Sequence, residues 1–157
     1  MTGTRTPRWL ALGQAVLLVC ALPGCVREVK DTHPDLVLTK RKVLFKHMNR
    51  ALEPIGLVAN ERNAYNKDEF LAYVDELQKL SSKPWAYFPP DGNYPPTRAK
   101  PAVWSQPADF EAAQKQYQAV VAQLAQAAQV GDLEKIKPAV VDVTNSCKSC
   151  HKKFRFD

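Results

Sequence analysis

The chain has 157 residues, 22 basic against 16 acidic side chains, a formal charge of +6, and 45% apolar residues. That length suits one ordinary domain with a single core. The lysines are scattered and form no dense patch, so nucleic acid is excluded as a partner.

Residues Met1 to Arg8 contain Arg5 and Arg8 and no acid, and Trp9 to Leu22 is mainly apolar apart from Gly13 and Gln14. This is the layout of a secretory signal, and it is too short for a permanent membrane span. The run ends in Leu22-Pro23-Gly24-Cys25, which resembles a bacterial lipoprotein box, with Pro23 departing from the usual pattern. Residues 1–24 are therefore read as a removable signal, Cys25 as the lipidated mature N-terminus, and 25–35 as a linker. The alternative is cleavage after Ala21, which leaves Cys25 a free thiol. Loss of Arg5 and Arg8 leaves 20 basic against 16 acidic residues. Cys20 departs with the signal, so Cys147 and Cys150 remain and no disulfide framework is expected.

Four amphipathic helices follow. The first, from about Pro34 to Val58, repeats Val37, Arg41, Leu44, Phe45, Met48, Leu52 and Ile55 at helical spacing, with Asp31 or Thr32 as a start signal ahead of Pro34. The second opens at Asn66, with Glu69 placed for a capping box, and buries Phe70, Val74, Leu77 and Leu80. Seven of the twelve prolines lie between Pro84 and Pro107, which predicts an extended crossover. The third helix, about Ala108 to Val130, buries Phe110, Ala113, Tyr117, Val120, Val121 and Leu124. Gly131 stops it, and Asp132 caps a fourth running through Leu133, Ile136, Val140, Val143, Cys147 and Phe154. The expected fold is all-α: an up-down-up-down antiparallel four-helix bundle with a long Pro-rich crossover between helices 2 and 3, over residues 36–157.

The last helix carries Cys147-Lys148-Ser149-Cys150-His151. At roughly 100° per residue the two thiols emerge on one face, a turn apart, which suits two thioether bonds to one haem. His151 lies about 40° from Cys147, as a proximal ligand requires. A redox dithiol would be expected beside a strand–helix unit, and a zinc site needs further ligands, for which only His33 and His47 offer nitrogen. One covalent haem c, with His151 on the iron, is the expected cofactor.

The motif with Lys152-Lys153-Phe154-Arg155 after it, its C-terminal placement and the four-helix pattern resemble the class II c-type cytochromes, the cytochrome c' family. Thr39-Lys40-Arg41-Lys42, Lys83-Pro84-Trp85-Ala86 and Lys100-Pro101-Ala102-Val103-Trp104-Ser105 add to the likeness, which runs from about Leu36 onward. The resemblance implies that Arg41 lies near a haem propionate and that Arg155 packs beside the proximal imidazole. Each also has a plainer reading, as a solvated helix charge and as a cation at a helix C-terminus. Trp85 and Trp104 are read as core or loop anchors.

In this family the residue one turn after the first-helix arginine sets the sixth iron position. Here it is Phe45, which cannot ligate, so the resemblance implies five-coordinate iron able to take nitric oxide or carbon monoxide. Met48 lies about 60° from Phe45 on the same helix, and Met48 as sixth ligand of a low-spin electron carrier is the alternative. His47 is expected to face water. The partners expected are small gases and periplasmic redox proteins, acidic ones docking on Lys148, Lys152, Lys153 and Arg155. No enzymatic reaction is expected, since a peroxidase would need a distal base. The location implied is the periplasm of a Gram-negative bacterium, with the membrane reached only through a lipid anchor. A homodimer pairing through first helices is neither required nor forbidden by the exposed faces.

Overall fold

The computed structural model describes Gly3 and residues 30–157, so the signal segment and Cys25 lie outside the described residues. The helices are α1 (Val37–Ala59), α2 (Lys67–Leu80), a single turn α3 (Ala102–Ser105), α4 (Pro107–Val130) and α5 (Leu133–Phe154). α1 packs on α2 and α5, and α4 packs on the same two helices, which closes the four long helices into an up-down-up-down bundle. No helix among the described residues is long and apolar enough to cross a membrane.

Local sequence sets most of the helix ends. Asn66 accepts hydrogen bonds from the backbone N–H of Asp68 at 3.1 Å and of Glu69 at 3.2 Å. The Glu69 carboxylate is not turned back to complete the box; it accepts from the Tyr73 hydroxyl, 3.1 Å away. Gly131 takes the left-handed conformation (φ 80°) that ends α4, and Asp132 accepts from the Glu134 N–H at 3.0 Å to begin α5.

The start of α1 differs from the sequence reading by three residues. Residues 33–36 form a separate turn, closed by the Leu36 N–H on the His33 carbonyl at 3.0 Å, and Leu36 has φ 50°. Asp31 reaches across that turn and accepts the Thr39 N–H at 2.7 Å. It therefore satisfies an orphan donor of the first helical turn from eight positions upstream, a role that a neighbouring cap normally fills.

The apolar stripes meet in a main core of Met48, Ala51 and Ile55 from α1, four residues of α2, Tyr117 to Ala128 of α4, and Ile136, Val140 and Val143 of α5. Ile55, Leu77, Leu124 and Ile136 are completely buried. A smaller core of Val103, Phe110 and Phe154 closes the crossover end of the bundle. The crossover is not wholly extended: Lys83–Tyr87 forms a 3-10 turn and α3 a single α-turn. Pro84 and Pro101 stand at the starts of these turns, where a missing N–H costs nothing.

Candidate functional site

Cys147 and Cys150 share one side of α5, but each rests on a different core. Cys147 packs against the main core and Cys150 against the smaller one. Burial pushes the Cys147 thiol up to about 11, with Cys150 adding to the shift, and burial raises Cys150 as well. Neither thiol is thus activated as a nucleophile of the dithiol type. The half-buried His151 ring is pushed down by desolvation, then by the positive charges of Arg155 and Arg98, which favours the neutral imidazole that a metal ligand must present. Among the described residues no three His, Cys, Asp or Glu side chains gather as a metal site, so the zinc alternative lacks its further ligands. The dithiol alternative lacks its strand: the described residues hold only an isolated bridge, Ala99 to Arg155.

Around these residues lies an aromatic wall. Trp85 touches both cores and is fixed by its indole N–H on the Ser81 carbonyl at 2.8 Å. Phe45 meets it edge-on at 5.7 Å, Tyr117 at 6.2 Å and Phe110 at 6.1 Å. Phe88 stacks on Trp85 and meets Phe110 edge-on at 5.1 Å. A cleft of about 560 Å³ opens beside this wall, bounded by Trp85, Phe88, Val103, Trp104 and Phe110. Its position beside Cys150's core, with none of Cys147, Cys150 or His151 on its lining, makes it an annex of the site and not its centre.

Arg41 is buried, at 4% exposure, and no carboxylate lies within ion-pair distance of it among the described residues. Its guanidinium lies 4.7 Å from the Phe88 ring centre and donates to Thr97 Oγ1 and, at 3.4 Å, to the Tyr87 carbonyl. Behind it Asp31 accepts from the Tyr94 hydroxyl at 2.5 Å. Desolvation pushes the Asp31 carboxyl up, but the bonds from Tyr94, Thr39 and His33 outweigh it and hold the group well below the usual carboxylate range. The crossover also clamps the end of α5. Lys100 N–H donates to the Phe154 carbonyl and Phe156 N–H to the Arg98 carbonyl, both at 2.8 Å, while Lys100 Nζ caps the Lys152 carbonyl at 2.9 Å. Arg155 ends α5, exposed, its N–H on the His151 carbonyl at 2.9 Å.

The family model for Cytochrome C' matches residues 37–155. The chain belongs to the cytochrome c' family. It is 39% identical over 93 residues to a cytochrome c' of Alcaligenes xylosoxydans xylosoxydans, a match covering 58% of this chain and 70% of that one. Two solved structures of cytochrome c prime from Alcaligenes xylosoxidans each align with TM-score 0.76, 30% identity and 82% of this chain against all of theirs. One is the nitric oxide complex of a leucine-to-isoleucine variant and the other a carbon monoxide-bound leucine-to-glycine variant.

Proteins of the cytochrome c' family carry one covalently bound haem c, and that is the cofactor of this chain. The residues present fit it: an apolar aromatic wall for a flat macrocycle, two thiols on one helix side, an imidazole whose pKa is lowered, and a buried guanidinium with no carboxylate partner among the described residues. Sequence reasoning brought Cys147, Cys150, His151, Arg41, Phe45 and Arg155 to this end of the bundle. It missed Phe88, Thr97 and the Asp31–Tyr94 pair. Phe88, Tyr94 and Thr97 lie in loops, where no periodicity marks them, and Asp31, six residues ahead of α1, reads as a start signal but not as the partner of Tyr94.

Proposed function

We propose that Cys147 and Cys150 hold haem c as thioethers, that His151 is the proximal iron ligand, and that the protein binds nitric oxide or carbon monoxide on a five-coordinate iron. Haem c, when bound, would supply a one-electron iron centre able to take a small ligand. The chain's own residues do the rest. Desolvation, then the charges of Arg155 and Arg98, lower the His151 pKa and so favour the neutral ring that can ligate. Arg41, without a carboxylate partner among the described residues, would pair with an anionic propionate. Phe45, held edge-on by Trp85 and Phe88, offers no lone pair and no hydrogen bond, which disfavours bound dioxygen and favours small neutral ligands. The observation that carries this reading is Met48, the only methionine among the described residues, which is buried within the main core at 6% exposure and serves the bundle's packing.

The spectrum of the purified protein tests it. A high-spin ferric spectrum, and carbon monoxide binding by the reduced form, are expected. A low-spin ferric spectrum with the far-red methionine band, abolished by Met48→Leu, overturns the five-coordinate reading.

A second reading, a carrier that exchanges electrons with acidic periplasmic proteins, is favoured by Lys148, Lys152 and Arg155, which are exposed and hold no carboxylate among the described residues. Lys153 does not belong with them, since it is paired with Asp109 at 2.7 Å. A reduction rate that ignores ionic strength counts against this docking. Neither reading involves enzymatic turnover. Cys25 is proposed as a lipidated N-terminus holding the domain on the periplasmic side of a membrane, and the mass of the mature N-terminus decides it.

A further inference from the structure

The outer side of α1 has a chemistry that haem binding does not use. Lys42, Lys46 and Arg50 recur every four residues, so they fall within an arc of about 80°, on the side away from buried Met48. All three are exposed, and Leu36 and Val43 beside them are 45% and 46% exposed. From Leu36 to Leu52 there is no acidic residue; Glu53 is the first. Among the described residues none of the three cations has an ion-pair partner, whereas Lys79 on α2, Lys115 on α4 and Lys137 and Lys153 on α5 each hold a carboxylate. Lys40 stands in the first turn of the helix, where the macrodipole disfavours a cation. Ion pairing within the helix therefore does not account for Lys42, Lys46 and Arg50.

We propose that this face of α1 docks on anionic phospholipid. Charge decides the occupant. A second copy pairing antiparallel through the same face would set this basic stripe against itself, Lys42 toward Arg50 of the other copy and Lys46 near the axis, like charge against like. A layer of lipid phosphates offers the opposite charge along the whole stripe, and exposed Val43 and Leu36 suit the boundary between head groups and acyl chains. The chain's course agrees. Asp31 is fastened to α1 through Thr39, and Cys25 lies six residues upstream, a reach of at most about 20 Å. An anchor at Cys25 would keep α1 within that reach of a bilayer, so the choice of occupant rests partly on the lipidation reading. The buried side of the same helix carries Arg41 and Phe45, so the docked surface and the haem site are two sides of one helix.

The test uses the haem-loaded mature chain with Cys25→Ser, which removes any acyl anchor, and vesicles of phosphatidylcholine with or without phosphatidylglycerol. Cosedimentation read by haem absorbance is expected only with phosphatidylglycerol. Lys42→Gln, Lys46→Gln and Arg50→Gln together weaken it on the order of 100-fold, while Lys148→Gln with Lys152→Gln weakens it far less. Independently of any variant's folding, acylation of Lys42 and Lys46 in the parent slows on vesicle addition while that of Lys115 does not. Equal binding to pure phosphatidylcholine, undiminished binding of the α1 variant, or a dimer that shields Lys42 and Lys46 without vesicles overturns the proposal. A mature N-terminus without acyl groups ends the anchor reading and leaves this result standing.

Discussion

Arg41 has an environment that an anion beyond the polypeptide would complete. A guanidinium at 4% exposure, with only a hydroxyl, a long carbonyl contact and an aromatic face for company, is expensive to bury. Desolvation accordingly pulls its pKa down. A propionate nearby, as proposed, would turn that cost into a charge-assisted pair. Arg41→Met is thus expected to cost about 3 kcal/mol in the haem-loaded protein, where it strands an anion. In a Cys147→Ala, Cys150→Ala chain without haem the same change is neutral or stabilising, and urea unfolding of the four proteins checks the sign reversal. Asp31 gives a pH prediction at the same scale. Its folded carboxyl lies well below the unfolded value of about 3.9, so its contribution is complete above that pH and is lost as pH falls toward the folded value. Asp31→Asn should therefore be less stable at pH 6, with a shallower loss of thermal stability between pH 4 and pH 2. Of these two residues Arg41 was legible in the sequence, through its motif and helical phase. Asp31's partner Tyr94 was not, because 63 positions separate the pair.

Whole elements were legible where their signals are local. The Gly131-Asp132 turn needs only a left-handed stop and an adjacent cap, and both residues do what their chemistry suggests. The start of α1 was displaced because its cap comes from outside the adjoining turn, and the crossover hid two helical turns because proline density marks breaks better than it marks first turns. The aromatic wall was the least legible element. Phe45 sits on a periodic helix, but Trp85 and Phe88 lie where no period operates, and their contact with Phe45 is a product of tertiary packing. That contact bears on ligand entry. A side chain held edge-on between two rings yields slowly, so Phe45→Ala is expected to raise the rate of carbon monoxide binding to the reduced protein at least tenfold, measured by stopped flow. Trp85→Phe, which keeps an aromatic but loses the bond to Ser81, should raise it less. An unchanged rate in Phe45→Ala would remove Phe45 from the distal wall.

Across the whole molecule the two cores divide the labour unequally. Fifteen buried residues from four helices make the main core, while three make the one at the crossover end. The first is large enough to hold α2, α4 and α5 together by apolar burial. The second is not, and the long crossover above it is tied down mainly by Trp104 on the Pro89 carbonyl and by the pairing of residues 98–100 with 154–156. Haem held as proposed through Cys147 and Cys150, which touch the two different cores, would join the weak end to the strong one. Stability in such a molecule is expected to be uneven once the link is absent. Hydrogen exchange of the Cys147→Ala, Cys150→Ala chain should keep strong protection in the middle of α2, α4 and the first half of α5. Residues 83–105 and the last turn of α5 should exchange at least tenfold faster than in the haem-loaded protein. Uniform loss of protection over both regions would mean that the main core does not stand alone, and that haem stabilises the bundle as a whole.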